Sequence, residues 1–276
     1  MSEKHSADVL PGEAPADWWS AKRKAAIRIF RNEGVSGIWR KIGAGGPLEA
    51  LSRVGDEIRC MQCALICSIW DKRHHTQTSG LIGMEQVSVV GSNKEHGTAI
   101  VSISPRMFKF LTRFFPVDRS NATLVDFGSG KGRLALLAST VGFRKVIGVE
   151  YSPFAHNIAQ ENLKNFRAGG DGMSECVFIN ADAVDFQLPT QGPLMLVFNN
   201  PFGLEVWRRV LPNIVSHRKE TGENIRLLLS GSMPEVLAPV VQFVRESGHF
   251  TEAAQGVSPL FIDSYSRYYY WVFDAA

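Results

Sequence analysis

Val125-Asp126-Phe127-Gly128-Ser129-Gly130-Lys131-Gly132-Arg133 follows an apolar run, Ala122–Phe127, and leads into a helical pattern over Lys131–Val141. Glycines at such a strand-to-helix turn let the backbone double back and approach a ligand closely. A helix N-terminus there offers unpaired N–H groups to an anionic group such as a carboxylate. The spacing is G-x-G-x-G. Arg133 stands where the dinucleotide fingerprint places its last glycine, which argues against a nicotinamide-dependent oxidoreductase, and the G-x-x-x-x-G-K-[ST] phosphate motif is absent. Asp126 lies two residues before Gly128. A carboxylate at that point is unhelpful to a phosphate and useful to a cationic amino-acid moiety.

Outward from this loop, apolar runs alternate with helical ones. Strands are expected at Ala122–Phe127, Lys145–Glu150, Cys176–Asn180, Leu194–Asn199, Ile225–Leu229 and Arg267–Phe273. Helices are expected at Pro153–Phe166, Leu204–His217 and Met233–Ser247. Continuous apolar strands alternating with helices mark an α/β fold with a doubly wound, mostly parallel sheet. In such sheets ligands bind beyond the carboxyl ends of the strands. Glu150 ends the second strand, where its carboxylate can accept bonds from both hydroxyls of a ribose. Asp182, followed by Ala183, ends the third and can accept a bond from an exocyclic adenine amine. Each acid alone reads as a solvated loop residue; acids at three successive strand ends read as a site.

The whole chain is an ordinary globular composition: 276 residues, 45% hydrophobic and 21% charged, with a net charge of +3. That balance excludes a disordered chain, and its 25 Gly and 13 Pro follow no fibrous repeat. No run approaches the ~20 apolar residues of a membrane span. The N-terminus has no apolar signal core, so a cytoplasmic protein is expected. Four cysteines fit a reducing compartment rather than a disulfide scaffold.

Three regions are expected: a disordered tail at 1–17, a mainly helical extension or cap at 18–104, and the α/β domain at 105–276. In the extension, a helix from Trp18 to about Ile42 is broken by Gly43–Pro47, and Leu48–Trp70 reads as a second helix. Short β-like pieces follow at Val87–Val90 and Ala99–Ile103. Pro105 then opens a helix with Met107, Phe108, Phe110, Leu111 and Phe114 on its apolar face. Residues 22–41 carry seven basic side chains against Glu33 alone. They read first as the wet face of an amphipathic helix, and second as a contact for nucleic acid or anionic lipid. Cys60, Cys63 and Cys67 share one helix face and read as a buried stripe rather than a ligand set. His74 and His75 read as an exposed turn, and no metal site is expected.

Taken in order, VDFGSGKGR, GVEYSP, NADA and FNNPFG resemble the class I S-adenosylmethionine-dependent methyltransferases, over about residues 105–276. The resemblance implies a Rossmann-like seven-stranded sheet with an antiparallel last strand and S-adenosylmethionine as the cofactor. It implies that Asp126, Gly128, Gly130 and Gly132 hold the methionine part, Glu150 the ribose, and Asp182 with Ala183 the adenine. DFGSGKGR and NPFG look most like bacterial members usually left without an assigned substrate. Asp71-Lys72-Arg73-His74-His75-Thr76-Gln77-Thr78 resembles a D-x-R-x-G-x-x-T stretch of that set, with His75 in the place of the glycine.

Asn199-Asn200-Pro201-Phe202 closes the fourth strand and resembles the [ND]-P-P-[YF] motif of enzymes that methylate amino or amide nitrogens, and the NNF-type segment of lysine methyltransferases lacking a SET domain. Methyl transfer mostly requires positioning and a free lone pair, so asparagine oxygens that accept amine hydrogens and an aromatic beside a cationic centre suit it. Either asparagine can face the amine, and the plainer reading is a strand-end turn. The expected acceptor is an amine or amide on a protein or small molecule. Nucleic-acid bases are the second reading, reached through residues 22–41, and a non-catalytic interaction protein with the same fold is a rival of another class.

Overall fold

The structure is a computed structural model and describes residues 47–80, 102–167, 173–200, 202–259, 262 and 268–276. The chain divides into two compact units, residues 1–58 and 59–276. Helix α1, Pro47–His74, runs across the division. The second unit therefore takes in part of the stretch assigned to the extension. The tail, the basic helix of 18–42 and the piece at Val87–Val90 lie outside the described residues.

Seven strands form one sheet: β1 Thr123–Phe127, β2 Lys145–Glu150, β3 Glu175–Asn180, β4 Leu194–Asn199, β5 Ile225–Gly231, β6 Phe250–Val257 and β7 Tyr269–Ala275. Their order is β3-β2-β1-β4-β5-β7-β6. Strands β1 to β5 run parallel to their neighbours, and β7 is antiparallel to both β5 and β6. This is the expected doubly wound, Rossmann-like sheet with a reversed last strand.

Side chains of a strand alternate between faces, and here they fill two cores. Leu124, Val146, Met195, Val197, Leu228 and Val272 meet helices α2 (Pro105–Leu111), α3 (Arg133–Ala138) and α4 (Pro153–Arg167) on one face. Val125, Phe127, Leu196, Phe198, Leu227 and Leu229 meet α5 (Leu204–Thr221) and α6 (Pro234–Glu246) on the other. Ser104 caps α2 by accepting the N–H of Met107, and Pro105 fits the first turn, whose own N–H would have no partner.

Two elements differ from expectation. Helix α3 is six residues rather than the eleven-residue run of Lys131–Val141, because Gly132 enters with φ +91° and the turn only closes at Arg133. Strand β6 carries no continuous apolar run. It pairs with β7 alone and its side chains alternate between exposed and half-buried, so its polar sequence suits an edge. Residues 102–104 carry no regular structure, so the β-like piece at Ala99–Ile103 is not seen in its described part.

Candidate functional site

The chain lays β1, β2 and β3 outward on one side, then returns to lay β4 on the other side of β1. At such a reversal the connecting loops diverge and leave a crevice beyond the carboxyl ends. The glycine loop, Glu150, Asp182 and Asn199 all fall there, on four adjacent parallel strands.

Gly128, Gly130 and Gly132 have φ of +77°, +54° and +91°. A Cβ at Gly128 would meet open space, so that face of the loop is free for a ligand. A Cβ at Gly132 would lie 2.5 Å from the Phe178 ring, so that glycine also makes room for packing. The loop is tied to β2 by N–H bonds from Gly128 and Ser129 to the Val149 carbonyl, at 2.9 and 3.0 Å.

Asp126 follows Leu124 onto the α3 face of the sheet and is 2% exposed. The Ala135 N–H bonds its carboxyl, and Oδ2 has no hydrogen-bond partner among the described residues. Burial, with the Glu150 charge adding to it, pushes its pKa up to about 8. Glu150 is equally buried. Its Oε2 accepts the Gly130 N–H at 2.7 Å and its Oε1 the Ser152 N–H at 2.9 Å. Burial raises its pKa although the Ser152, Gly130 and Tyr151 backbone bonds oppose the rise. Glu150 thus holds the glycine loop through Oε2 and its own strand end through Oε1, with three of its four lone-pair sites taken by backbone N–H groups. Asp182 is half-buried; its Oδ1 accepts the Val184 N–H at 3.0 Å, closing the turn that carries Ala183.

The two asparagines part company. Asn200 has φ +50°, a conformation asparagine tolerates better than most residues. Its Oδ1 accepts the Ser232 N–H at 3.0 Å and its Nδ2 donates to the Tyr268 hydroxyl at 3.1 Å. Gly231 makes room for it, since a Cβ there would sit 2.7 Å from Oδ1. Asn199 Oδ1 accepts the Ser230 hydroxyl at 3.1 Å, and Asn199 also hydrogen-bonds Tyr268. Phe202 is half-buried, with its ring 6.1 Å from Phe198 and 5.9 Å from Trp207, so it packs on the α5 core. Pro201 lies outside the described residues. Tyr268 is 7% exposed with a pKa pushed up to about 12, chiefly by burial. Its pairing with Asn200 spans 68 positions and leaves no local signal in the sequence.

The remaining expectations fall on α1. Cys63 and Cys67 are buried, Cys60 is half-buried and none of the three is in a disulfide, as a stripe requires. His74 is not an exposed turn: its ring packs 4.8 Å from Trp70 and 4.9 Å from Phe166. His75 is exposed with φ +55°, the left-handed conformation a glycine would adopt there. Among the described residues no three His, Cys, Asp or Glu gather as a metal site, and no helix is long and apolar enough to cross a membrane.

Residues 102–201 match the family model described as a methyltransferase domain. The ribosomal protein L11 methyltransferase of Clostridium perfringens is 29% identical over 111 residues, covering 40% of this chain and 31% of the relative. The match thus spans about a third of that relative's length. Among solved structures, the ribosomal protein L11 methylase of Lactobacillus delbrueckii subsp. bulgaricus aligns with a TM-score of 0.43 at 16% identity, over 61% of this chain and 77% of that one. TrmN of Thermus thermophilus aligns at 0.47 and 16%, over 63% and 49%.

S-adenosylmethionine offers an ammonium and carboxylate at one end, two ribose hydroxyls, and an adenine. The residues present fit it: an unpartnered carboxylate oxygen on Asp126, open space beside Gly128, a remaining lone pair on Glu150 and a half-buried Asp182 at the next strand end.

Proposed function

We propose that this chain is an S-adenosylmethionine-dependent methyltransferase acting on an amine or amide nitrogen of a protein or small molecule in the cytoplasm. The observation that carries it is the run of glycine loop, Glu150, Asp182 and Asn199 across the carboxyl ends of four adjacent strands. Asp126, Gly128, Gly130 and Gly132 take the methionine end, Glu150 the ribose, and Asp182 with Ala183 the adenine. The bound cofactor supplies a methyl carbon already activated by its sulfonium.

What the protein adds is placement. Asn200 takes the left-handed turn and ties to Ser232 beyond β5, so Asn199, the last residue of β4, is assigned to the acceptor. In this reading its side-chain oxygen accepts an amine hydrogen, leaving the nitrogen lone pair free for the methyl carbon. Phe202, half-buried against Trp207, packs on the α5 core. The protein substrate in the name of the Clostridium relative favours a macromolecular acceptor.

Calorimetric titration with S-adenosylmethionine tests the cofactor. Binding by the wild type, and its loss in Gly130→Arg or Asp126→Ala, is expected; a wild type that does not bind defeats the reading. Tritiated-methyl labelling of an extract from a deletion strain then tests the acceptor: label in protein or small amines is expected, whereas label in RNA or DNA overturns the nitrogen acceptor named here.

A further inference from the structure

The loop that holds the proposed methionine end is not built by β1 and α3 alone. Arg133, 1% exposed, reaches back to the segment after α1. Its Nε donates to Thr78 Oγ1 at 2.6 Å, and its Nη2 donates to Ser79 Oγ at 2.7 Å and to Asp71 Oδ2 at 3.3 Å. Asp71 is itself saturated. Its Oδ1 accepts the Thr76 and Thr78 hydroxyls at 2.8 and 2.5 Å and the Thr78 N–H at 3.1 Å, and its Oδ2 accepts the Ser79 N–H at 2.7 Å. A charge pair this buried is held by such bonds or not at all.

Two further ties reach the glycine loop itself. The Lys131 ammonium donates to the carbonyls of Ser79 and Gly80, the latter at 2.9 Å. Asn162, 1% exposed, bridges the two segments: its Oδ1 accepts the Gln77 N–H at 2.7 Å and its Nδ2 donates to the Lys131 carbonyl at 2.9 Å. Gln77, Ser79 and Gly80 are thereby fastened to Lys131 of the loop at three points.

We propose that Asp71–Gly80 is a working part of the cofactor site, in which Arg133 and Lys131 act as positioning residues that lock the Gly128–Gly132 loop for the amino-acid end of the cofactor. This rests on the reading that the loop takes that end. Any ligand with the methionine part then depends on the node, and one without it does not. S-adenosylhomocysteine and 5′-methylthioadenosine are such a pair, since they share the adenosine and differ by the amino-acid end.

Dissociation constants of both ligands are measured for the full chain, wild type and Arg133→Met, at a temperature well below the melting midpoint. The S-adenosylhomocysteine constant is expected to rise at least tenfold, while that of 5′-methylthioadenosine stays within twofold. Should Arg133→Met fail to fold, Lys131→Met, which loses only two carbonyl contacts, carries the same comparison. Equal weakening of both ligands means a merely structural node and overturns the proposal, as does no weakening of either. A wild type that binds neither ligand defeats the cofactor reading instead.

Discussion

Asn199 and Asn200 are chemically identical neighbours in different backbone states: Asn199 ends β4, and Asn200 has φ +50°. Asn200 makes the turn: its left-handed backbone and both ends of its amide are committed to the protein. Replacing it with alanine loses two hydrogen bonds, each worth about 1 kcal/mol, and adds roughly 1–2 kcal/mol of left-handed strain. Asn200→Ala is therefore expected to destabilise the fold by about 3–4 kcal/mol in urea unfolding. Asn200→Gly, free of the strain, should cost visibly less; equal losses would mean the conformation is unimportant. Asn199→Ala should cost about 2 kcal/mol for its bonds to Ser230 and Tyr268, leave S-adenosylmethionine affinity within twofold, and slow methyl transfer about 10²-fold, the scale of a misplaced reactant. The sequence named the pair but not the division of labour. Positive φ at Asn200 and the partner Tyr268 are set by β5 and β7, which no window around Asn199 contains.

Among the elements, β2 and β3 touch the glycine loop through a contact that the sequence leaves silent. Gly148 sits mid-strand in β2 with an ordinary backbone, yet a Cβ there would lie 2.4 Å from the Phe178 ring and 3.0 Å from the Ser129 Cβ. The same ring fills the space beside Gly132. Phe178 is thus the floor on which the loop rests, and two glycines make way for it. Gly148→Ala is expected to cost about 1–3 kcal/mol by overpacking, and Phe178→Leu added to it should recover part of the loss. Additive losses in the urea-unfolding cycle would contradict the contact. The strands β1, β2, β4 and β5 were legible because they are buried on both faces and read as continuous apolar runs. Strand β6 was not, because an edge strand needs only one weak stripe: FTEAAQGV places Phe250 in the core and leaves the other positions exposed or half-buried. The glycine loop and its acids were legible because their spacing is local. The Asp71–Arg133 node was not, since its partners lie 62 positions apart.

At the scale of the molecule, three buried carboxylates give stability an unusual dependence on pH. Asp71 has a pKa below the ordinary range: burial raises it, but bonds from Ser79, Thr78 and Thr76 and the Arg133 charge outweigh that. Its contribution is full above the unfolded value and is lost as pH falls through its depressed value, so it governs acid unfolding alone. Asp126 and Glu150 are displaced the other way, Asp126 to about 8. Between the ordinary carboxylate range and that value the folded chain binds more protons than the unfolded chain, so stability falls as pH rises. The melting midpoint of the ligand-free protein should therefore drop between pH 5.5 and 8.5, and Asp126→Asn should flatten the slope. A flat wild-type profile would place Asp126 in a wetter setting than its 2% exposure implies. The cofactor reverses the balance, because a cation brought to the unpartnered Oδ2 favours the charged carboxylate. Binding at pH 7 should then release up to one proton, seen as a calorimetric enthalpy that varies with the ionisation enthalpy of the buffer. In Asp126→Asn that variation should vanish even where affinity survives. A release that persists in the variant would assign the proton to another group and remove Asp126 from the cation's reach.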